Sequence, residues 1–200
     1  MKRLFLLLLL TSNVFAQNDF IITNNGEKID AVDTSIIINA IEKNIEFKTL
    51  ERSKTKTIDF NDFSYCYFEG YVFMTFDLYK NNDIKGYFVI ADSKNRKLIS
   101  ATLPPINEVY NKFSNQIVRY ESFVLDENLS VLEKFTFDNI KIESNALVRS
   151  QISPTLTPQF KGFPEFLDRL AILENKPDEF NLKIIELFEY PSYMKKVEKK

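Results

Sequence analysis

Two hundred residues carry 26 basic and 28 acidic side chains, 19 Phe, one Cys, no Trp and no His. A chain of this length makes one domain, or one domain with an appendage, and buries about 70 % of the surface its unfolded form exposes. The formal net charge of −2 lacks the basic footprint that nucleic acid requires, and four glycines argue against Gly-rich phosphate loops and flexible linkers.

Lys2 and Arg3 precede the apolar run Leu4 to Leu10, and Val14-Phe15-Ala16 forms a small-residue cleavage site. This is the pattern of a secretory signal over residues 1–16, removed before Gln17. The apolar run is shorter than the about 20 residues that span a bilayer. No transmembrane anchor after cleavage is therefore expected, and because no Cys follows the site, no lipoprotein anchor is expected either. The mature chain would carry 24 basic and 28 acidic residues, a net charge of −4, and is expected in the periplasm or outside the cell.

Asp19 to Thr23, the turn Asn24-Asn25-Gly26 and the alternating Glu27 to Val32 read as a β-hairpin, because Asn and Gly tolerate the positive φ of tight turns. Thr34 to Ile41 is β-branched enough for a third strand. Ile45 to Leu50 alternates apolar and polar residues after a Lys43-Asn44 turn. Glu51 to Lys56 is a charged loop leading into Thr57 to Phe60. The run from Asp19 through Gly26-Glu27-x-Ile29, Ile45-Glu46-Phe47 and Thr57-Ile58-Asp59-Phe60-x-Asp62 resembles a pattern of uncharacterised, exported β-rich proteins of Bacteroidetes. Those proteins usually have a strand residue or Gly near Ala31 and often repeat the unit, whereas this chain has one copy. The resemblance spans residues 19–62 and implies a secreted β domain, with no catalytic residues to carry over.

Eight of the seventeen residues of Phe63 to Tyr79 are aromatic, and the stretch reads as the centre of a sheet. Alternation puts Val72, Met74, Phe76 and Leu78 on one face, expected to be core, and Tyr71, Phe73, Thr75, Asp77 and Tyr79 on the other. Tyr71, Phe73 and Tyr79 are the candidate ligand-binding residues: either a platform for a small apolar ligand, a glycan or a protein, or core covered by helices. Asn81 to Asp83 turns the chain, Gly86 to Ala91 returns, Asp92 to Arg96 turns again, and Lys97 to Leu103 completes an antiparallel meander.

Pro104-Pro105 ends this region, and Ile106, Val109, Tyr110, Phe113 and Ile117 at helical spacing predict a helix over 106–117. Residues 118–137 fit either its continuation or a hairpin about Asp126-Glu127-Asn128; the turn residues and Phe135-Thr136-Phe137 favour the hairpin. A further strand is expected within Asn139 to Val148, and Ser153 to Pro158 reads as a linker. Phe163, Phe166, Leu167, Leu170 and Leu173 predict one helix, with Pro164 in its first turn. A second helix begins at Pro177, and the lysines at 195, 196, 199 and 200 mark a solvated tail.

Without histidine, Ser–His and Cys–His triads and ordinary zinc sites lack their parts. Cys66, between Tyr65 and Tyr67, reads as a small buried hydrophobe. Asp126-x-Asn128-x-Ser130 lacks the glycine and terminal Glu of a calcium loop and reads as a turn. The expected fold is α+β, a mainly antiparallel β-meander sheet or open barrel with C-terminal helices packed on it. Residues 17–150 would form the β-rich domain, and 151–200 a helical hairpin with a basic tail. The expected function is an exported, non-enzymatic binding or structural protein without cofactor or metal. Two alternatives stand beside it: a carboxylate-based hydrolase using Asp59 with Asp62 or Glu69 with Asp77, and a lipocalin-like carrier of an apolar ligand.

Overall fold

The computed structural model describes residues 19–103, 119–138 and 143–174. The expected signal sequence, the 106–117 helix, the helix from Pro177 and the basic tail lie outside them. Eleven strands and two helices follow in chain order: β1 Phe20–Thr23, β2 Lys28–Asp30, β3 Ile37–Asn39, β4 Asn44–Phe47, β5 Lys56–Asp59, β6 Phe63–Phe68, β7 Tyr71–Phe76, β8 Lys85–Ser93, β9 Arg96–Leu103, β10 Arg119–Leu125, β11 Val131–Asp138, α1 Glu143–Gln159 and α2 Pro164–Glu174. Eight strands make one antiparallel sheet in the order β11-β10-β9-β8-β7-β6-β1-β2, and β3-β4-β5 make a second. The architecture is α+β, with a β-meander from β6 to β11. The order ends at β2 and β11, which do not pair with each other, so the described strands close no barrel.

Turn chemistry sets the register. Between β6 and β7 the two central residues, Glu69 and Gly70, both have positive φ (48° and 86°), as a two-residue hairpin turn demands. Glu69 is an unusual occupant of that position. Its N–H donates to Asp19 Oδ1 at 2.9 Å, while Asp19 Oδ2 accepts the N–H of Thr34, another left-handed residue, at 3.1 Å. One buried carboxylate thus fastens the β6–β7 turn and the β2–β3 connection to the start of β1.

The register places Ile29, Ile21, Cys66, Phe73, Phe88, Ser100, Ser122 and Phe135 across one face of the large sheet. The small sheet covers one half of that face. Ile38, Ile45, Phe47 and Phe60 form one core with Phe63, Cys66, Phe68, Phe73 and Phe88. The helices cover the other half: Ile152, Leu156 and Phe160 of the α1 side and Phe166 and Leu170 of α2 pack on Leu98, Tyr120 and Val124. The buried hydroxyls of Ser100 and Ser122, cross-strand neighbours, bond each other at 2.9 Å. The opposite face carries a third core of Phe76, Tyr87, Ile99, Phe123 and Leu125.

Four expectations are corrected. The Tyr71/Phe73 face of β7 is covered, but by strands rather than helices at this point, and Phe73 is only 3 % exposed. Of the expected core face only Phe76 is fully buried; Met74 and Leu78 are half-buried but pack against its cluster, and Val72 is half-buried. No strand occupies the described part of 139–148, because α1 starts at Glu143. Ser153 to Pro158 is no linker either; α1 runs through it despite Pro154 and Pro158. Each interior proline costs about 3 kcal/mol. Ile152, Leu156 and Phe160, spaced by four and almost fully buried, contribute roughly 1.5–3 kcal/mol each, so packing overrides the local preference. The helix therefore crosses the boundary expected between residues 150 and 151.

Gly86, opposite Thr75 in the β7–β8 ladder, lies beneath the Phe73 ring: a Cβ there would fall well inside contact distance of Phe73 Cζ and Cε1 and of Phe60 Cε2. Gly86→Ala is expected to lose about 1–3 kcal/mol by overpacking. Gly162→Ala, whose Cβ would meet nothing within 4 Å, should stay within about 0.5 kcal/mol of the parent or gain slightly. Urea unfolding of both variants measures the difference.

Removing the Asp19 carboxylate leaves two backbone donors without their acceptor. Asp19→Ala is expected to cost about 1–3 kcal/mol for each N–H left unmatched. Asp19→Asn, which keeps one acceptor oxygen, should cost less in the same measurement.

Candidate functional site

The three candidate ligand-binding rings divide between two places. Tyr71 and Phe73 both meet the Phe88 ring edge-on, with centroids 6.5 and 5.2 Å away, inside the core beneath the small sheet. Tyr79 lies beyond the other end of β7, 52 % exposed, with its ring edge-on to Phe123 at 6.4 Å. Its hydroxyl accepts a hydrogen bond from Lys134 Nζ at 3.0 Å. The same ammonium pairs with Glu121 at 2.8 Å and lies over the Phe123 ring. The Glu121 carboxylate, followed by Tyr79, holds Lys134 above its ordinary range and therefore charged.

The opposite face at the β1, β6 and β7 end holds a second set of aromatics, outside the expected platform on β7. Tyr65 and Tyr67 flank Cys66 and so point away from the core. Phe20, paired with Tyr67 across β1 and β6, stacks on it at 5.6 Å and 20°, and meets Tyr65 edge-on at 5.9 Å. The cross-strand partners of the tyrosines on β7 are Met74 and Val72. All four, Tyr65, Tyr67, Val72 and Met74, are half-buried. At the rim Lys28 lies over the Phe20 ring at 4.7 Å and pairs with Asp30 at 2.7 Å. The strict Tyr65-Cys66-Tyr67 alternation was the available signal, since a buried cysteine puts its two neighbours on the other face.

The two acidic pairs of the hydrolase alternative lie at or beside strand ends. Glu69 and Asp77 flank opposite ends of the six-residue β7, and a strand advances about 3.3 Å per residue, well beyond the roughly 5–10 Å that glycosidase carboxyls require. Asp77 instead accepts the N–H groups of Asn81 and Asn82, shaping the β7–β8 connection. Asp59 and Asp62 are exposed on the β5–β6 turn. Asp126 accepts the N–H groups of Asn128 and Ser130, which closes the β10–β11 hairpin. Among the described residues no three His, Cys, Asp or Glu side chains gather as metal ligands. No described helix is long and apolar enough to cross a membrane. No protein-family model, curated protein or solved structure matches this chain.

Cys66 is fully buried, and burial, reinforced by Asp19, pushes its thiol far above the ordinary value of 9.0. Tyr87, 1 % exposed, is likewise raised above 10.0, first by burial and then by Glu121, Tyr79 and Asp83. Both groups stay protonated in the folded chain where the unfolded chain ionises. Their stabilising effect is complete below pH 9 and declines as pH rises through the values of the unfolded groups, by up to about 1.4 kcal/mol per pH unit for each group. Urea titrations from pH 8 to 11 should show that loss, with a shallower onset near pH 9 in Cys66→Ala. A maleimide reagent should label Cys66 at neutral pH only in denaturant.

Proposed function

We propose that this chain is an exported, non-enzymatic binding protein, and that its ligand surface is the outer face of β1, β6 and β7 around Tyr65 and Tyr67. The observation that carries the reading is the partly exposed pair Tyr65 and Tyr67, with the buried Phe20 ring stacked at their side and an ion pair at the rim. Tyrosine offers an apolar ring face and a polar tip. That combination suits a neutral glycan, whose sugar rings have apolar faces and hydroxyl edges, better than it suits a purely apolar ligand. Export is supported by the charged start, short apolar run and Val14-Phe15-Ala16 site. A non-catalytic role is supported by a chain without histidine whose one thiol is held protonated in the core.

Affinity electrophoresis through gels containing a panel of neutral soluble polysaccharides tests the reading. At least one polymer should retard the protein, and Tyr65→Ala and Tyr67→Ala should each weaken that retardation several-fold without changing the unfolding midpoint much. Absence of retardation by every polymer, or retardation indifferent to both substitutions, would refute the surface. Turnover of chromogenic glycosides or esters that Asp59→Asn or Asp62→Asn abolishes would replace it with the hydrolase.

A further inference from the structure

The tip of the β8–β9 hairpin and the end of α1 enclose a shallow cleft of about 230 Å³, lined by Ser93, Lys94, Asn95, Arg96, Gln159 and Gly162. It lies apart from the tyrosine surface, on different strands. Its lining carries two positive charges and no negative one, and neither Lys94 nor Arg96 makes an ion pair with any described residue. Lys161, next to Gly162, is exposed and unpaired in the same sense. Asp92, the acid closest in sequence on this hairpin, is engaged by Lys97.

Arg96 is held in a fixed pose. Its Nε donates to Gln159 Oε1 at 2.9 Å and its Nη1 to the Asn95 carbonyl at 2.7 Å. Its backbone is locked by the Ser93 hydroxyl, which accepts the Arg96 N–H at 3.1 Å and donates to the Arg96 carbonyl at 3.0 Å. A guanidinium has five N–H donors in a rigid fork, so these two bonds leave three donors without a described partner. A half-buried arginine that is already oriented loses little freedom when an anion arrives, which is the condition for bidentate recognition of an oxyanion. The end of α1 carries a partial negative charge and no basic residue in its last turn. The Arg96–Gln159 bond sets the guanidinium charge against that end, which offsets it in part, and Lys94 supplies the positive charge that remains in excess.

We propose that this cleft binds a single oxyanion group, a phosphate, sulfate or carboxylate, gripped by the free donors of Arg96 and by Lys94, with Asn95 and Ser93 alongside. The cleft lies just below the roughly 300–1,000 Å³ of pockets that engulf small molecules, so it suits one charged group at the end of a larger ligand and not a whole cofactor. Gly162 borders the cleft with open space where a Cβ would stand, which leaves the entrance free and gives a means of closing it.

Isothermal titration of the full mature chain with inorganic phosphate, inorganic sulfate and glucuronate, at constant ionic strength held with chloride, tests the proposal. At least one should bind saturably, and the one that does identifies ester or carboxylate chemistry as the preferred class. Lys94→Ala and Gly162→Glu, on an exposed turn and in open space, should each weaken that binding at least tenfold with the unfolding midpoint retained, and Arg96→Gln should abolish it. If none of the three anions saturates above the chloride control, Arg96 serves only to offset the end of α1 and the proposal fails. Binding that changes less than twofold in both Lys94→Ala and Gly162→Glu overturns it equally.

Discussion

The large sheet presents one apolar face eight strands wide, and neither the small sheet nor the helical pair alone is broad enough to cover it. The chain divides the task. The β3-β4-β5 layer, inserted between β2 and β6, closes over the β1 to β8 half, and α1 with α2 closes over β9 and β10. Ile90 on β8 packs against both clusters, so the two covers meet along that strand. The insertion also explains Asp19. A hairpin that leaves the sheet, builds a second layer and returns beside its own first strand needs its exit and its return held together, and the Thr34 and Glu69 amides on one carboxylate do that.

The outer face inherits what this arrangement leaves over. Where β8, β9 and β10 cross it, the residues are as deeply buried as any in the molecule: Ile99, Phe123 and Leu125 have no exposed surface. Where β1, β6 and β7 cross it, the same alternation delivers partly exposed tyrosines backed by a rigid strand. A ring fixed on a strand between cross-strand neighbours loses little freedom on contact with a ligand. That rigidity is why the sheet, and not a loop, is the element on which a binding surface is proposed.

Much of this was legible in the residues, because β-alternation and turn residues are local signals. Asn24-Asn25-Gly26, Asn81 to Asp83, and Asp126 to Asn128 each mark a turn that the fold uses, and the hairpin reading of 118–137 agrees with β10 and β11. The features that depart from the local signals depend on partners distant in sequence. Pro154 and Pro158 signal a break to any local rule, and only the fit of Ile152, Leu156 and Phe160 onto Leu98, Tyr120 and Val124 reverses it. Alternation told which residues of β7 share a face but not which face would be covered, since the covering strands come from residues 37–59. Tyr65 and Tyr67 were marked by the local alternation about Cys66, but the same limit hid the cleft, where Arg96 and Gln159 stand 63 positions apart.

Cys66 sits on β6, an interior strand of this sheet, paired across the ladder with Ile21 and Phe73. With one thiol in the chain, the only disulfide available is a bond between two molecules. Folding places that thiol out of reach, so in an oxidising compartment cross-linked dimers would form from molecules that had failed to fold or had opened, and native molecules would stay single. In such a compartment the cysteine would act as a record of the conformational history of the population: the fraction of chains trapped as covalent pairs would accumulate with every excursion that parts β6 from its neighbours.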